Sequence, residues 1–165
     1  MTTRSRILPA LALLLTLAPA VSMAQNHSQI ASVRGGASCP RCNLFQADLG
    51  GLNAPRINLA GARLRQADMS LATLNRARFN GADLRDLNAF GAVMTGASFA
   101  GADLGNASLV GASLRGSDWT GAKLEGANLA GADLSNARGL TASQLSRACG
   151  DASTQLPHGL AIASC

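Results

Sequence analysis

From Cys42 to Thr141 the chain divides into 20 consecutive pentads without an insertion, and few folds accept that period. The first position reads Cys42, Ala47, Leu52, Ile57, Ala62, Ala67 and onward to Ala137, with Ala at 15 of the 20 sites. The third position is large and apolar, from Leu44, Leu49, Leu59 and Leu64 to Leu134. Leu takes 12 of those sites, and Met, Phe or Trp119 fill five more. Asp, Asn, Ser, Arg and Thr dominate the second position, and Gly is common at the fifth. A period of five matches neither an amphipathic helix nor the unbroken alternation of a long strand. Apolar residues two apart, followed by a break, suit a very short extended piece and then a turn, where Gly and Asn relieve the cost of a positive φ. Composition narrows the class further. The chain is 47% hydrophobic but 3% aromatic and 14% charged. That excludes a charged disordered tail, which needs low hydrophobicity and high charge, and Gly does not recur at every third position as collagen requires.

The pentads Ala82-Asp83-Leu84, Ala102-Asp103-Leu104, Ala127-Asn128-Leu129 and Ala132-Asp133-Leu134 are direct copies of Ala-Asp/Asn-Leu-x-x. In them the chain resembles the pentapeptide-repeat family, over about 100 of its 165 residues. The resemblance implies an all-β fold, a right-handed quadrilateral parallel β-helix with four pentads to each 20-residue coil and about five coils here. The sequence carries its own check on that coil length. Third positions spaced by 20 form columns: Leu44, Leu64, Leu84, Leu104 and Leu124 in one, Leu59, Phe79, Phe99 and Trp119 in another. Aromatic residues in one column should stack in the interior. Pentads Leu52-Asn53-Ala54 and Leu87-Asn88-Ala89 exchange large and small residues between first and third sites, a swap that conserves interior volume.

Second, fourth and fifth positions then point outward. One face carries Arg63, Arg65, Asp83, Arg85, Asp86, Asp103, Lys123 and Glu125, a solvated ladder of mixed sign. A second places Arg56 above Arg76 with Arg115 further along, a candidate anion patch. A third turns Leu71, Phe90 and Val110 outward beside Gly91 and Gly111, a flat candidate patch for a protein partner.

Four segments follow. Residues 1–24 read as a secretory signal: Arg4 and Arg6, an apolar run from Ile7 to Val21, then Ser22-Met23-Ala24 before a mature start at Gln25. That run is too short for a spanning helix and contains Pro9 and Pro19, so no membrane span is expected in the mature chain. Residues 25–41 form an N-terminal leader and cap, 42–141 the repeat, and 142–165 a C-terminal helix and disulfide-closed cap. Thr141 and Gln144 have capping-box spacing, with a short helix expected to run to about Ala148. Ala148-Cys149-Gly150-Asp151, with Leu156-Pro157 and Gly159-Leu160, resembles the ending of exported bacterial members of the family, which implies a cap and not an activity.

Five coils at about 4.8 Å each separate the rod's ends by about 24 Å, whereas bridged Cα atoms lie within about 7 Å. Cys39 therefore pairs with Cys42 and Cys149 with Cys165, and a four-cysteine zinc site joining both ends is excluded. Cys39-Pro40-Arg41-Cys42 has the spacing of a redox pair but lacks a βαβ setting, so a structural bridge is the preferred reading. His27 and His158 lie outside the repeat, and Asp48, Asp68, Asp83 and Asp103 occupy its ordinary polar site, so no catalytic constellation stands out. No cofactor or metal is expected.

Removing Arg4 and Arg6 from 14 basic residues leaves 12 against 9 acidic, a net charge of +3 without a Lys/Arg run, which does not suit a nucleic-acid binder. The expected function is that of an exported, non-enzymatic scaffold or protein-interaction surface. Two alternatives are a topoisomerase-interacting DNA mimic, which the family resemblance raises, and thiol–disulfide chemistry at Cys39 and Cys42. The DNA mimics are acidic and cytoplasmic, and this chain departs from them on both points.

Overall fold

The computed structural model describes residues 26–165, so the expected leader at 1–24 and start at Gln25 lie outside the described residues. The repeat winds as a four-sided parallel β-helix. Second-position residues pair one coil apart, beginning with Asn43 and Arg63 and continuing to Asp118 and Arg138, every bridge parallel and 20 residues long. We label the sides A to D by their first third-position residues: Leu44 (A), Leu49 (B), Ala54 (C) and Leu59 (D).

The backbone explains why five residues make one side. The third-position N–H donates to the second-position carbonyl of the next coil, as Leu44 does to Arg63 at 2.8 Å. The second-position N–H donates back one coil, as Arg63 does to Cys42 at 2.9 Å. The fifth also donates forward (Gln46 to Arg65, 3.0 Å), and the first closes a β-turn onto the third (Ala47 to Leu44, 3.0 Å). The fourth N–H has no place in this ladder. Pro40 and Pro55, which have no N–H to lose, stand there without cost. The fifth residue is the left-handed third residue of the turn, the type II pattern. Glycine fills it at many corners, and Gln46, Arg56, Gln66, Leu71, Arg76, Asp86, Asn106 and Asn136 hold φ between 53° and 63° at the others.

First and third positions form one continuous core, and the aromatic column stacks inside it. Phe79 and Phe99 lie 5.2 Å apart at 8°, Phe99 and Trp119 4.6 Å apart at 19°. Ser117 is the buried polar residue of the alanine column, and it sits in the pentad that carries the tryptophan. Its Oγ accepts the Trp119 indole N–H at 2.7 Å and donates to the Leu114 carbonyl. The indole requires such an acceptor once buried. At the last third position, Gly139 (φ +67°) replaces the large residue because a Cβ there would lie 2.7 Å from Thr120 N.

A short helix lies at each end of the repeat. Helix α1, His27–Arg34, starts on Asn26 and buries Val33 in the core. Gln29 Oε1 accepts the Asn43 N–H at 2.8 Å, in place of the carbonyl that a preceding coil would supply. The ladder already includes Cys39 and Arg41, whose N–H groups reach Asn58 O and Ala60 O at 2.9 Å each.

Helix α2 is a single turn, Ala142–Leu145, shorter than the helix expected to Ala148. Its end is set by the ladder, since Gly126 N already donates to Arg147 O at 2.7 Å. Gln144 completes the capping box and also donates from Nε2 to Trp119 O (2.9 Å) and Ala122 O (2.8 Å), tying α2 to the last coil. Beyond it, strand β1, Cys149–Gly150, runs parallel to β2, Ala163–Ser164.

Truncating the middle of the aromatic column removes two stacks at once. Phe99→Ala is expected to cost about 3–5 kcal/mol in urea unfolding. Ser117→Ala, which strands the indole N–H, is expected to cost about 1–3 kcal/mol. Equal, near-zero effects would contradict this packing.

Candidate interaction faces

The Asp and Asn residues of the second position serve the unpaired fourth amide. Oδ1 of Asp48, Asn58, Asp68, Asn88, Asp103, Asp118, Asn128 and Asp133 accepts the N–H two residues on, at 2.8 to 3.2 Å. Asp83 does so weakly at 3.4 Å and is also held by the Arg85 guanidinium, with two contacts of 2.7 Å. These Asx turns supply the hydrogen bond that the coil geometry withholds. Three of these carboxyls, Asp83, Asp118 and Asp133, are biased toward ionisation. The Arg85 guanidinium lowers the pKa of Asp83, and the Thr120 hydroxyl and amide lower that of Asp118. For Asp133 burial pushes upward, but the Ser135 hydroxyl and amide and nearby Arg115 outweigh it.

The face A charges pair along and across coils: Arg65 with Asp86 (3.1 Å), Arg85 with Asp83 (2.7 Å), Lys123 with Asp103 (3.7 Å) and Arg147 with Glu125 (2.7 Å). On face B, Leu71 is 65% exposed and Phe90 52%. They are neighbours because Leu71 N donates to Phe90 O at 2.8 Å, while Val110 follows on the next coil, partly covered. Leu71 lies along the rod onto Gly91, where a Cβ would come within 2.9 Å of Leu71 Cδ2. The carboxylate of Asp48, also on this face, pairs with Arg34 of α1 at 3.3 Å.

On face C the three arginines of the sequence reading separate. Arg56 and Arg76 stand one coil apart at the corner with face D, whereas Arg115 pairs with Asp133 at 3.2 Å. Arg41 and Arg78, which the sequence reading left out, border the same face D. Arg41 occupies a left-handed corner (φ 59°), and Arg78 is the second residue of the pentad after Arg76. Extending the pentad register one step before Cys42 is the signal that would have found Arg41.

Cys39 is bonded to Cys42 across one corner, with Cα atoms 5.6 Å apart, and Cys149 to Cys165 across β1 and β2, at 4.8 Å. His27 opens α1 and His158 lies in the tail. Among the described residues no group of three or more His, Cys, Asp or Glu is placed to hold a metal, and no helix is long and apolar enough to cross a membrane.

Asp151 organises the C-terminal tail. One of its oxygens accepts Gly131 N (3.0 Å), Ser153 N (2.9 Å), Ser153 Oγ (2.7 Å) and Thr154 Oγ1 (3.2 Å). The Ser153 hydroxyl, followed by the Gly131 amide, holds its pKa at about 2.

The family model described as pentapeptide repeats matches in 8 copies, over residues 42–81, 55–88, 77–116 and 107–138. Among solved structures, a pentapeptide repeat protein from the thylakoid lumen of Arabidopsis thaliana is 43% identical. The match covers 45% of this chain and 51% of that one, with a TM-score of 0.45. HetL, a pentapeptide repeat protein of Nostoc sp. strain PCC 7120 involved in heterocyst differentiation regulation, is 30% identical over 56% of this chain and 55% of its own, with a TM-score of 0.42. Rfr23 from the cyanobacterium Cyanothece 51142 is 25% identical over 79% and 97%, with a TM-score of 0.34. The chain thus spans about half the length of the first two. No curated protein matches the sequence.

The lowered pKa of Asp151 gives the tail an acid dependence of definite sign. Its contribution is present above the ordinary value of 3.8 and drains away as pH falls toward about 2. Amide exchange at Gly131 and Ser153 is expected to accelerate over that window beyond its intrinsic pH dependence. In Asp151→Asn the acid-specific change should disappear. An unchanged profile in the variant would contradict the assignment.

Proposed function

The chain belongs to the pentapeptide repeat family, whose members form right-handed quadrilateral β-helices, and from that premise we propose an exported, non-enzymatic rod. It would have about five coils, close with α2 and the bridged tail, and offer face B to a protein partner. The observation that carries the reading is Leu71. A leucine at φ 57° stands in a conformation that costs an L-residue roughly 1–2 kcal/mol, and 65% of it faces solvent. Glycine or asparagine, which fill the same position elsewhere in the array, would relieve both penalties. A side chain held against backbone and solvent preference fits a role outside the fold. Phe90 beside it supplies the aromatic anchor that protein interfaces favour.

Export is supported by the order of charge, apolar run and small residues at 1–24. Two cysteine pairs suit an oxidising compartment. The non-enzymatic reading is supported by the second-position carboxylates, which are committed to turn amides and arginines.

Crosslinking in the extracytoplasmic fraction of the host tests this reading. Wild-type protein is expected to trap a defined partner that Leu71→Asn/Phe90→Ser does not. Leu71→Asn alone is expected to leave stability unchanged or raise it by up to about 1 kcal/mol. Identical capture by wild type and double variant, or no capture by wild type, would overturn the role of face B.

A further inference from the structure

We infer that face D, at the N-terminal end of the rod, is a docking surface for the phosphate headgroups of an anionic lipid bilayer. The inference starts from where the surplus positive charge resides. Arg34, Arg65, Arg85, Arg115, Lys123 and Arg147 are in ion pairs, and Arg138 lies close enough to Asp118 to lower its pKa. Arg41, Arg56, Arg76 and Arg78 have no side-chain hydrogen bond or ion pair with another described residue. All four are exposed, and all four border the first turns of face D. Arg56 and Arg76 line its corner with face C, Arg41 its corner with face A, and Arg78 stands on the face itself.

The acids of faces C and D, Asp118 and Asp133, stand at least two coils further along. At about 4.8 Å per coil that is roughly 10 Å, about one Debye length at 0.1 M salt. Positive charge therefore dominates this end of the rod on one side, although the chain as a whole is only modestly basic.

The ground between the arginines is built of small and amide side chains. Asn58, Ala60, Gly61 and Asn80 form it, with a hollow of about 450 Å³ bounded by Pro40, Arg41 and Asn80. A second hollow, of about 310 Å³, is lined by Pro55, Arg56, Asn75 and Arg76. In both, a proline precedes a left-handed arginine, so the backbone under the guanidinium is stiff (Arg41 φ 59°, Arg56 φ 63°). Asp, Asn, Gln and Gly meet the same corner requirement elsewhere, and here the residue kept is arginine.

The chemistry favours a bilayer over the other polyanions. Face D exposes no aromatic residue: Phe79, Phe99 and Trp119 are buried, Phe45 is on face A and Phe90 on face B. It therefore lacks the aromatic anchors of a protein hot spot and the stacking platform of a nucleic-acid site. Four guanidinium groups turned to one side of the rod match the closely spaced phosphates of a bilayer surface. The lipid-facing side is also opposite face B, which leaves the Leu71–Phe90 patch pointing away from the membrane. The lipid inference stands without a partner on face B, and its test does not involve that face.

Co-sedimentation of the purified protein with vesicles tests the inference. Binding is expected to vesicles of phosphatidylcholine plus phosphatidylglycerol, and not to phosphatidylcholine alone, and to fade at high salt. Each arginine should contribute about fivefold. Arg41→Gln, Arg56→Gln, Arg76→Gln and Arg78→Gln together should abolish binding. Glutamine already occupies the left-handed corner at residues 46 and 66, so the fold should tolerate it there. Lys123→Gln with Arg147→Gln, on face A, should reduce affinity far less per charge removed. No binding to the phosphatidylglycerol vesicles would overturn the inference, as would equal losses per charge from the face A control. Binding to inorganic phosphate or soluble dextran sulfate without vesicle binding would overturn it in favour of a soluble anion.

Discussion

Each corner of the rod requires a β-turn whose third residue is left-handed, and that turn leaves the amide before it without a ladder partner. Most of the sequence pattern is a response to these two facts. Glycine at the fifth position meets the first. Asp and Asn at the second meet the other, by reaching the amide two residues on, as Asp68 does to Ser70 at 2.8 Å. Proline at the fourth, as at 40 and 55, removes the problem altogether. Once corners repeat every five residues, only first and third side chains can point inward. The interior is then narrow enough that alanine and leucine alternate as its walls.

The same constraint makes departures informative. Where a corner could be glycine and is instead leucine or arginine, the backbone cost supports the proposal of a role beyond the coil itself. Leu71 and the arginines at 41, 56 and 76 are such departures, and they lie toward opposite sides of the rod. Face A, by contrast, has its opposite charges engaged with one another, and exposed pairs of that kind contribute little to stability. A thin β-helix can thus hold the two proposed surfaces on opposite sides of one interior layer.

Periodicity made the interior legible from sequence. Spacing of 20 alone places Phe79, Phe99 and Trp119 in one stack, and successive rings lie 5.2 and 4.6 Å apart in the structure. What escaped depended on side-chain geometry or on the ends of the pattern. Ser117 reads as a lapse in the alanine column until the indole N–H beside it is given direction. Helix α1 buries one residue, Val33, and carries almost no helical periodicity for a sequence reading to detect. The length of α2 is set by Gly126 reaching for Arg147 O, a tertiary demand on the backbone that no local signal records. Face register groups Arg115 with Arg56 and Arg76, and its pairing with Asp133 depends on where the guanidinium swings, which spacing does not record.

The ladder with one amide in five left over is the claim on which the rest stands, and native-state hydrogen exchange read residue by residue tests it most directly. Fourth-position amides without an Asx partner, such as Asn80 and Ala100, should exchange fast. Their neighbours Phe79, Gly81, Phe99 and Gly101, which donate across coils at 2.8 to 2.9 Å, should be protected. Protection that rises and falls every five residues through the middle coils is the predicted result. Protection that is uniform within each pentad, or that only declines smoothly toward the two ends, would contradict it.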